Sequence, residues 1–241
     1  MNAFKNQVAI ITGASSGIGQ GVARALGERG MRLILTGRQS EKLDALAIEI
    51  GIDHCATLAA DMANPATSDQ LISLALARFG RCDVVFNGAG VMYAASIEQS
   101  DMDQMCEMVQ VNVEGFTRVC YAALKHFRSV GSGHLINVSS ILGTKVRPNT
   151  GVYAGSKFYV EALSEALRME VAKSDLKVSV IQPGVVDTNL QTHFETPPRK
   201  VLGIENVLQP EDIARCVCFI LEQPAHVRIP VMMALPGEQA M

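Results

Sequence analysis

No tryptophan occurs among the 241 residues of this chain, and aromatic side chains make up only 5% of it. A core built from this composition rests on aliphatic packing rather than on large rings. Long hydrophobic runs are also missing. The stretch from Val8 to Ile11 is short, and nothing approaches the roughly 18 uninterrupted apolar residues of a membrane span, which excludes a bilayer-crossing helix. Met1 to Gln7 is polar and carries no secretory pattern, so a cytoplasmic location is expected. Strong charge of either sign is absent as well. A net charge of -3, with charged residues at 19%, leaves no electrostatic case for nucleic acid or an anionic membrane as partner. The six cysteines show no Cys-x-x-Cys spacing and no neighbouring histidine cluster. Cys216 and Cys218 fall on opposite faces of a strand or about 200° apart on a helix, a poor chelating pair. We expect reduced, mostly buried thiols and no metal site.

What is present is a chain that is 48% hydrophobic, the size of one α/β domain spanning 1–241. Gln7–Thr12 reads as a buried strand. Met31–Thr36, Cys55–Ala60, Asp83–Phe86, Gly133–Val138, Lys177–Ile181 and Val227–Met233 read as further strands. Helical patterns lie between them. Ser40 is placed to cap one that runs to Ile50 with Leu43, Leu46 and Ile50 inward, and Pro65 opens another ending near Phe79. Others span about 101–127, Tyr153 to about Lys173, and Pro210 to about Glu222. Strands alternating with helices predict a doubly wound parallel sheet. The segment 187–208 has two adjacent prolines and little periodicity, the character of a lid over a substrate site.

The first strand runs directly into Gly13-Ala-Ser15-Ser16-Gly17-Ile18-Gly19 and then a helix. Strand, glycine turn and helix is the context of a phosphate-binding loop. The glycines permit a tight turn and close backbone approach, and the helix start offers unpaired N–H groups. Tyr153 and Lys157, four residues apart, share one helical face, and a positive charge there is expected to draw the phenol down from its ordinary pKa of about 10. Ser140 follows a strand and precedes Tyr153 by thirteen residues, room for a loop that brings both hydroxyls and the lysine around one small group. An ordinary helix start with an exposed Tyr/Lys pair is the alternative for that motif taken alone.

Taken together, Thr12-Gly13-x3-Gly17-x-Gly19, Asn87-x-Ala89-Gly90, Asn112, Ser140, Tyr153-x3-Lys157 and Pro183-Gly184 resemble the short-chain dehydrogenase/reductase family over nearly the whole chain, in the family's order and spacing. Gly88 departs from it, because a second asparagine usually stands there. The resemblance implies a Rossmann-like sheet of about seven strands and a nicotinamide cofactor at its C-terminal edge. It also implies Tyr153 as acid or base, Lys157 as the ligand of the nicotinamide ribose, Ser140 as the donor to the substrate oxygen and Asn112 as the anchor of a water relay. Pro183 and Gly184 then line the cofactor, with Val186 and Thr188 after them at the carboxamide, and Asp61 and Met62 stand at the adenine; a turn-capping aspartate is the equal alternative for Asp61. At the end of the second strand, Gly37-Arg38 replaces the acidic residue of NAD-preferring relatives, which implies NADP(H); a solvated loop arginine is the other reading of Arg38.

The activity implied is reversible reduction of a small ketone, 3-oxo acid or ester, with 3-oxoacyl-carrier reduction as the alternative. The tail Val231 to Met241 lacks the Gly-Gly ending of many 3-oxoacyl-carrier reductases and is closer to the 3-hydroxy acid dehydrogenase branch. A cofactor-binding redox sensor is the non-enzymatic reading. Lys145, Arg147, Arg199 and Lys200 are candidates to face an acidic substrate or to be plain surface charges, and the helices spanning 101–127 and 152–173 are the implied faces of a dimer or tetramer.

Overall fold

The structure, a computed structural model, describes residues 4–191, 194 and 196–240. Of the expected lid, positions 192, 193 and 195 therefore lie outside the described residues, as does Met241 of the tail. Seven parallel strands form one sheet: β1 (Val8–Thr12), β2 (Arg32–Gly37), β3 (Cys55–Ala59), β4 (Val84–Asn87), β5 (Ser132–Val138), β6 (Asp175–Pro183) and β7 (Val231–Ala234). Their spatial order is β3-β2-β1-β4-β5-β6-β7, so the winding direction reverses between β1 and β4. In a doubly wound sheet that reversal opens a crevice at the C-terminal strand ends.

The pleat sorts the apolar residues. Ala9 and Ile11 of β1, Leu33 and Leu35 of β2, and Val84 and Phe86 of β4 enter one core, under α1 (Gly17–Glu28), α2 (Ser40–Ile50) and the C-terminal helix near 210–221. Val8 and Ile10, Ile34 and Val85 enter the other, under α3 (Thr67–Phe79) and the long helical region between β4 and β6. Alternate residues serve opposite faces because successive side chains in a strand do. Both faces are covered, as the unbroken apolar runs of β1 and β2 require.

That long helical region starts as α4 (Met102–Val109), capped by the Asp101 carboxylate, which accepts from the Asp103 and Gln104 amides at 2.8 and 3.3 Å. It continues as a π-helical turn, Gln110–Gly115, and resumes as α5 (Phe116–Val130). The sequence reads as one helix through this point, because the inserted residue leaves the apolar pattern nearly intact. Further on, α6 (Gly151–Glu170) carries Tyr153 and Lys157, a short α7 (Pro198–Val201) lies within 187–208, and α8 (Pro210–Leu221) follows. Several boundaries shift by a residue or more from expectation, and three of the shifts have a local setting. Gln39, not Ser40, is the N-cap of α2, and α3 begins two residues after Pro65, with Ala66 as its N-cap. The last strand starts at Val231 rather than Val227, because Val227 is drawn into a turn by its hydrogen bond to the Pro224 carbonyl at 2.9 Å.

The π turn is held from below by Gly115, where a Cβ would lie 2.5 Å from the Met62 carbonyl oxygen. Backbone on both sides cannot yield, and overpacking of this kind costs about 1–3 kcal/mol. Gly115→Ala is therefore expected to lower the thermal midpoint by several degrees. An unchanged midpoint in a thermal melt refutes the close packing of this turn on residue 62.

Candidate active site

A cleft of about 660 Å³ opens at the C-terminal ends of the central strands. Its floor at one end is the turn from β1 into α1. Gly13 and Gly17 have φ of +73° and +52°, a conformation that side chains with a Cβ resist. At Gly17 a Cβ would also meet the Thr188 methyl carbon at 2.9 Å, so the turn and Thr188 close on each other. Ser16 is the N-cap of α1, yet its side chain makes no capping bond, and the first turn has no acidic residue. The first N–H groups of α1 thus carry the positive end of the helix dipole into the cleft. This cradle fits a pyrophosphate, because the start of α1 has no side-chain cap and no acidic residue to compete for its N–H groups.

The neighbouring loop is fixed by one hydroxyl. Thr12 Oγ1 accepts from the Gly88 and Ala89 amides, both at 3.0 Å, tying the end of β1 to the loop that leaves β4. Asn87 stays in the core, donating to the Phe116 carbonyl at 3.2 Å. Gly88, the departure from the family pattern, has a physical reason: a Cβ there would sit 2.4 Å from the Phe86 ring. Gly90 then lies where a Cβ would be 3.2 Å from Asn112 Oδ1 and 3.7 Å from Lys157 Nζ.

These two residues form the inner wall. Asn112, in the π turn, donates to the Val91 carbonyl at 2.8 Å and accepts from the Val91 amide at 2.9 Å. It also donates to Ser156 Oγ at 3.2 Å. The π turn supplies this reach, since it swings Asn112 off the regular helical face. Lys157 is buried, and its Nζ donates to the Val138 carbonyl at 2.9 Å. Ser140 N-caps the turn 141–143, accepting from the Leu142 amide at 3.1 Å, and with Tyr153 it lines the cleft. Around Tyr153, Met92, Met108, Ile141 and Leu142 form a third, smaller apolar cluster, joined by Leu190 and Phe194 from the 187–208 segment.

Burial governs the electrostatics. Tyr153 is pushed up to about 12 by desolvation, with the Ser140 hydrogen bond pulling the other way. Desolvation brings Lys157 down to about 8, partly offset by the charge of Glu161. The expectation that Lys157 draws the phenol toward neutrality is thus corrected. The ammonium lies 5.7 Å from the Tyr153 ring centroid and bonds to a carbonyl, so its attraction is outweighed by the loss of water around both groups.

A family model described as short chain dehydrogenase matches residues 7–198. The chain belongs to the short-chain dehydrogenase family. An uncharacterized oxidoreductase of Staphylococcus aureus is 36% identical over 229 residues, covering 95% of this chain and 96% of the relative. One from Staphylococcus saprophyticus is 33% identical over the full length of both chains. Among solved structures, a serine dehydrogenase complexed with NADP+ superposes with a TM-score of 0.91 at 26% identity, covering 98% of this chain and 97% of that one. A 3-ketoacyl-(acyl-carrier-protein) reductase from Brucella melitensis complexed with NADH gives 0.89 at 28%, covering 98% and 99%. As a short-chain dehydrogenase fold, the chain is an oxidoreductase with a nicotinamide cofactor.

Most of the residues singled out in the sequence converge on the cleft. Gly13, Ser16, Gly17, Ile18 and Gly19 line one end, Ser140, Tyr153, Lys157 and Gly90 the centre, and Pro183, Gly184, Val186 and Thr188 the facing wall. Thr12, Asn87, Ala89 and Asn112 stand behind it. Others are set apart. Asp61 accepts from the Ala63 amide at 2.8 Å as a turn former, and Met62 is buried beneath Gly115. Gly37 does not open a space: its Cβ direction is filled by Ser15 Oγ at 2.6 Å, so the pair backs the loop. Arg147 reaches the cleft, whereas Lys145, Arg199 and Lys200 are exposed and do not line it.

Sequence reasoning missed Gln39, Lys42 and Gln239, all of which line the cleft. Lys42, one turn into α2 and close to Arg38 in sequence, was open to discovery from that spacing. Gln239 carried no local signal.

Lys157 also gives a stability prediction. Its pKa in the fold lies below the unfolded value of 10.5, so the folded state disfavours the charged form. That penalty is complete below about pH 8 and fades as pH rises toward 10.5, where the unfolded chain also loses the proton. Lys157→Met, of similar volume, is expected to unfold at a higher temperature than the parent at pH 7, with the difference shrinking at pH 10. Thermal melts of both proteins at the two pH values check this; a variant less stable at pH 7 contradicts it.

Proposed function

We propose that this short-chain dehydrogenase is an NADPH-dependent carbonyl reductase of small ketones, 3-oxo acids or esters, reversible as an alcohol dehydrogenase. The observation that carries the reading is the pair of hydroxyls, Ser140 and Tyr153, lining the apolar centre of a cleft whose far end is a glycine turn. When bound, NADPH supplies the hydride. Everything else falls to the chain. The glycine turn and the start of α1 hold the pyrophosphate, and Lys157 binds the nicotinamide ribose beside Gly90. Ser140 donates to the substrate oxygen and stabilises the charge that builds on it. Tyr153 gives that oxygen its proton. A phenol pushed up to about 12 stays fully protonated at neutral pH, the correct state for an acid in the reductive direction. The proton is replaced through Lys157 and a water anchored by Asn112, which is itself held by Val91 so that its position does not drift.

Met92, Ile141, Leu142, Leu190 and Phe194 support a substrate with an apolar body, and the exposed Arg147 at the rim supports an acidic group at its far end. The same arginine favours 3-oxoacyl-carrier reduction as a second reading, which the Brucella structural neighbour also supports. A redox sensor needs the glycine turn but not Ser140 and Tyr153 side by side at the centre of the cleft. The outward faces of α4, α5 and α6 carry exposed Val109, Tyr121 and Phe158, a surface suited to a second copy in a dimer or tetramer. The six free cysteines, four of them buried, suit a reducing cytoplasm.

Cofactor choice turns on Arg38. It pairs with Glu107 at 3.1 Å, and Tyr93 donates to the other Glu107 oxygen at 2.8 Å. The Arg38 side chain is 59% exposed, and such pairs contribute only about 0.2–1 kcal/mol. A bidentate bond to a 2′-phosphate contributes about 1.5–3 kcal/mol, so Arg38 can leave Glu107 for the phosphate. The ribose end also has Lys42 in reach of the same cleft.

Two outcomes follow for steady-state kinetics with a panel of aldehydes, ketones and 3-oxo esters. Tyr153→Phe is expected to lose about 10² to 10⁴ in rate with NADPH affinity nearly unchanged; activity within tenfold of the parent sinks the acid assignment. Arg38→Ala is expected to erase an NADPH preference of about tenfold or more, whereas Glu107→Gln, by freeing Arg38, raises it up to about fivefold. Equal use of NADH and NADPH by the parent makes Arg38 a surface arginine.

A further inference from the structure

The chain does not end where the sheet does. Ala234, the last residue of β7, accepts from the Gly184 amide at 2.8 Å, and residues 235–240 then fold back over the end of β6. Leu235 joins the apolar cluster around Tyr153. The Gln239 amide donates to the Pro236 carbonyl at 3.0 Å, closing a turn. Gln239 is only 8% exposed. A buried polar side chain needs a partner.

Its partner is the wall of the cleft. Gln239 Oε1 accepts from the Val185 amide at 2.9 Å. The fit is tight, because a Cβ at Gly184 would lie 2.3 Å from that same oxygen. The adjacent residue reaches the other way. The Glu238 carboxylate accepts from the Glu205 amide at 2.5 Å, the Asn206 amide at 3.3 Å and Asn206 Nδ2 at 2.9 Å. Those two grips fall on the two stems of the segment 187–208. The stems are themselves joined, since the Leu208 amide donates to the Val185 carbonyl at 3.0 Å and the Asp187 amide to the Leu208 carbonyl at 2.7 Å. Consecutive tail residues therefore hold the departing and the returning strand of one excursion, just where Gly184, Val186 and Thr188 line the cleft.

We propose that the C-terminal segment 235–240 is a clasp that sets the cleft wall, with Gln239 and Glu238 as positioning residues for the reaction. Neither side chain is asked to touch the reacting atoms. Gln239 fixes the height of the 184–186 turn, and Glu238 fixes the returning stem, so that Leu190 and Phe194 meet a substrate at a defined distance from Tyr153. The kinetic consequence rests on the reductase reading above, whereas the mechanical one does not.

The test uses two full-length variants, Gln239→Met, which keeps length but removes the acceptor, and Glu238→Ala. Hydrogen exchange followed by mass spectrometry reads the stems, and kcat, KM and NADPH affinity are measured with a carbonyl that the parent reduces. Loss of one or two such bonds corresponds to about three- to tenfold. Gln239→Met is expected to speed exchange in the peptide containing Val185 by that factor, and Glu238→Ala in the peptide containing 205–206. Both are expected to raise KM for the carbonyl about three- to tenfold while NADPH affinity stays within about twofold. Unchanged exchange at both stems overturns the clasp. So does a fall in kcat and thermal midpoint with KM unmoved, which is the mark of a merely structural tail. If the parent itself reduces no carbonyl, the functional reading fails, and the exchange experiment still decides the clasp.

Discussion

The architecture of the site depends on keeping an ammonium group out of water. Lys157 is buried, has a backbone carbonyl as its hydrogen-bonding partner, and is carried down to about 8 by desolvation. A group so placed is costly, and the surrounding structure has to over-determine its position. It does so from several directions. Val138 ends β5 under Nζ, and Gly90 leaves space beside it. The π turn bends α4 into α5 so that Asn112 arrives on the far side. The same dry environment raises Tyr153, against the pull of Ser140. Acid and ammonium are thus tuned by one cause, removal of solvent, in opposite directions on the pKa scale. The stability lost to Lys157 is the counterpart of the chemistry proposed for it, as expected where function and packing compete.

Much of this was legible in the residues because it is periodic or local. The seven strands announce themselves as short apolar runs, and their alternate burial in two cores follows from the pleat alone. The glycine turn is readable because Gly13 and Gly17 occupy a conformation that few other residues tolerate. Tyr153 and Lys157 share a face because four residues make about one helical turn.

What the sequence hid depends on tertiary context. The π turn at Gln110–Gly115 leaves the apolar pattern of one long helix, so nothing local reports it. The direction of the Tyr153 shift is set by how many atoms crowd around the phenol, a quantity absent from any spacing. Gly37 stands in place of an acidic residue, yet the space beside it is filled by Ser15 from a turn more than twenty residues earlier. Glu107 reaches Arg38 across 69 positions, and Gln239 reaches Val185 across 54. Each is an ordinary polar residue until the fold gives it a partner.

The account's central claim is that Ser140, Tyr153 and Lys157 direct a hydride from the nicotinamide to a carbonyl carbon rather than merely surrounding a bound cofactor. The most direct measurement is label transfer under single turnover. The parent is loaded with NADPH deuterated at the transferring position of C4 and mixed with a ketone or 3-oxo ester from the panel, and the product alcohol is analysed by mass spectrometry. The account predicts one deuterium at the new carbinol carbon of the alcohol, and none formed when Tyr153→Phe replaces the parent on the same time scale. Cofactor that binds tightly to the parent while no member of the panel acquires label contradicts it.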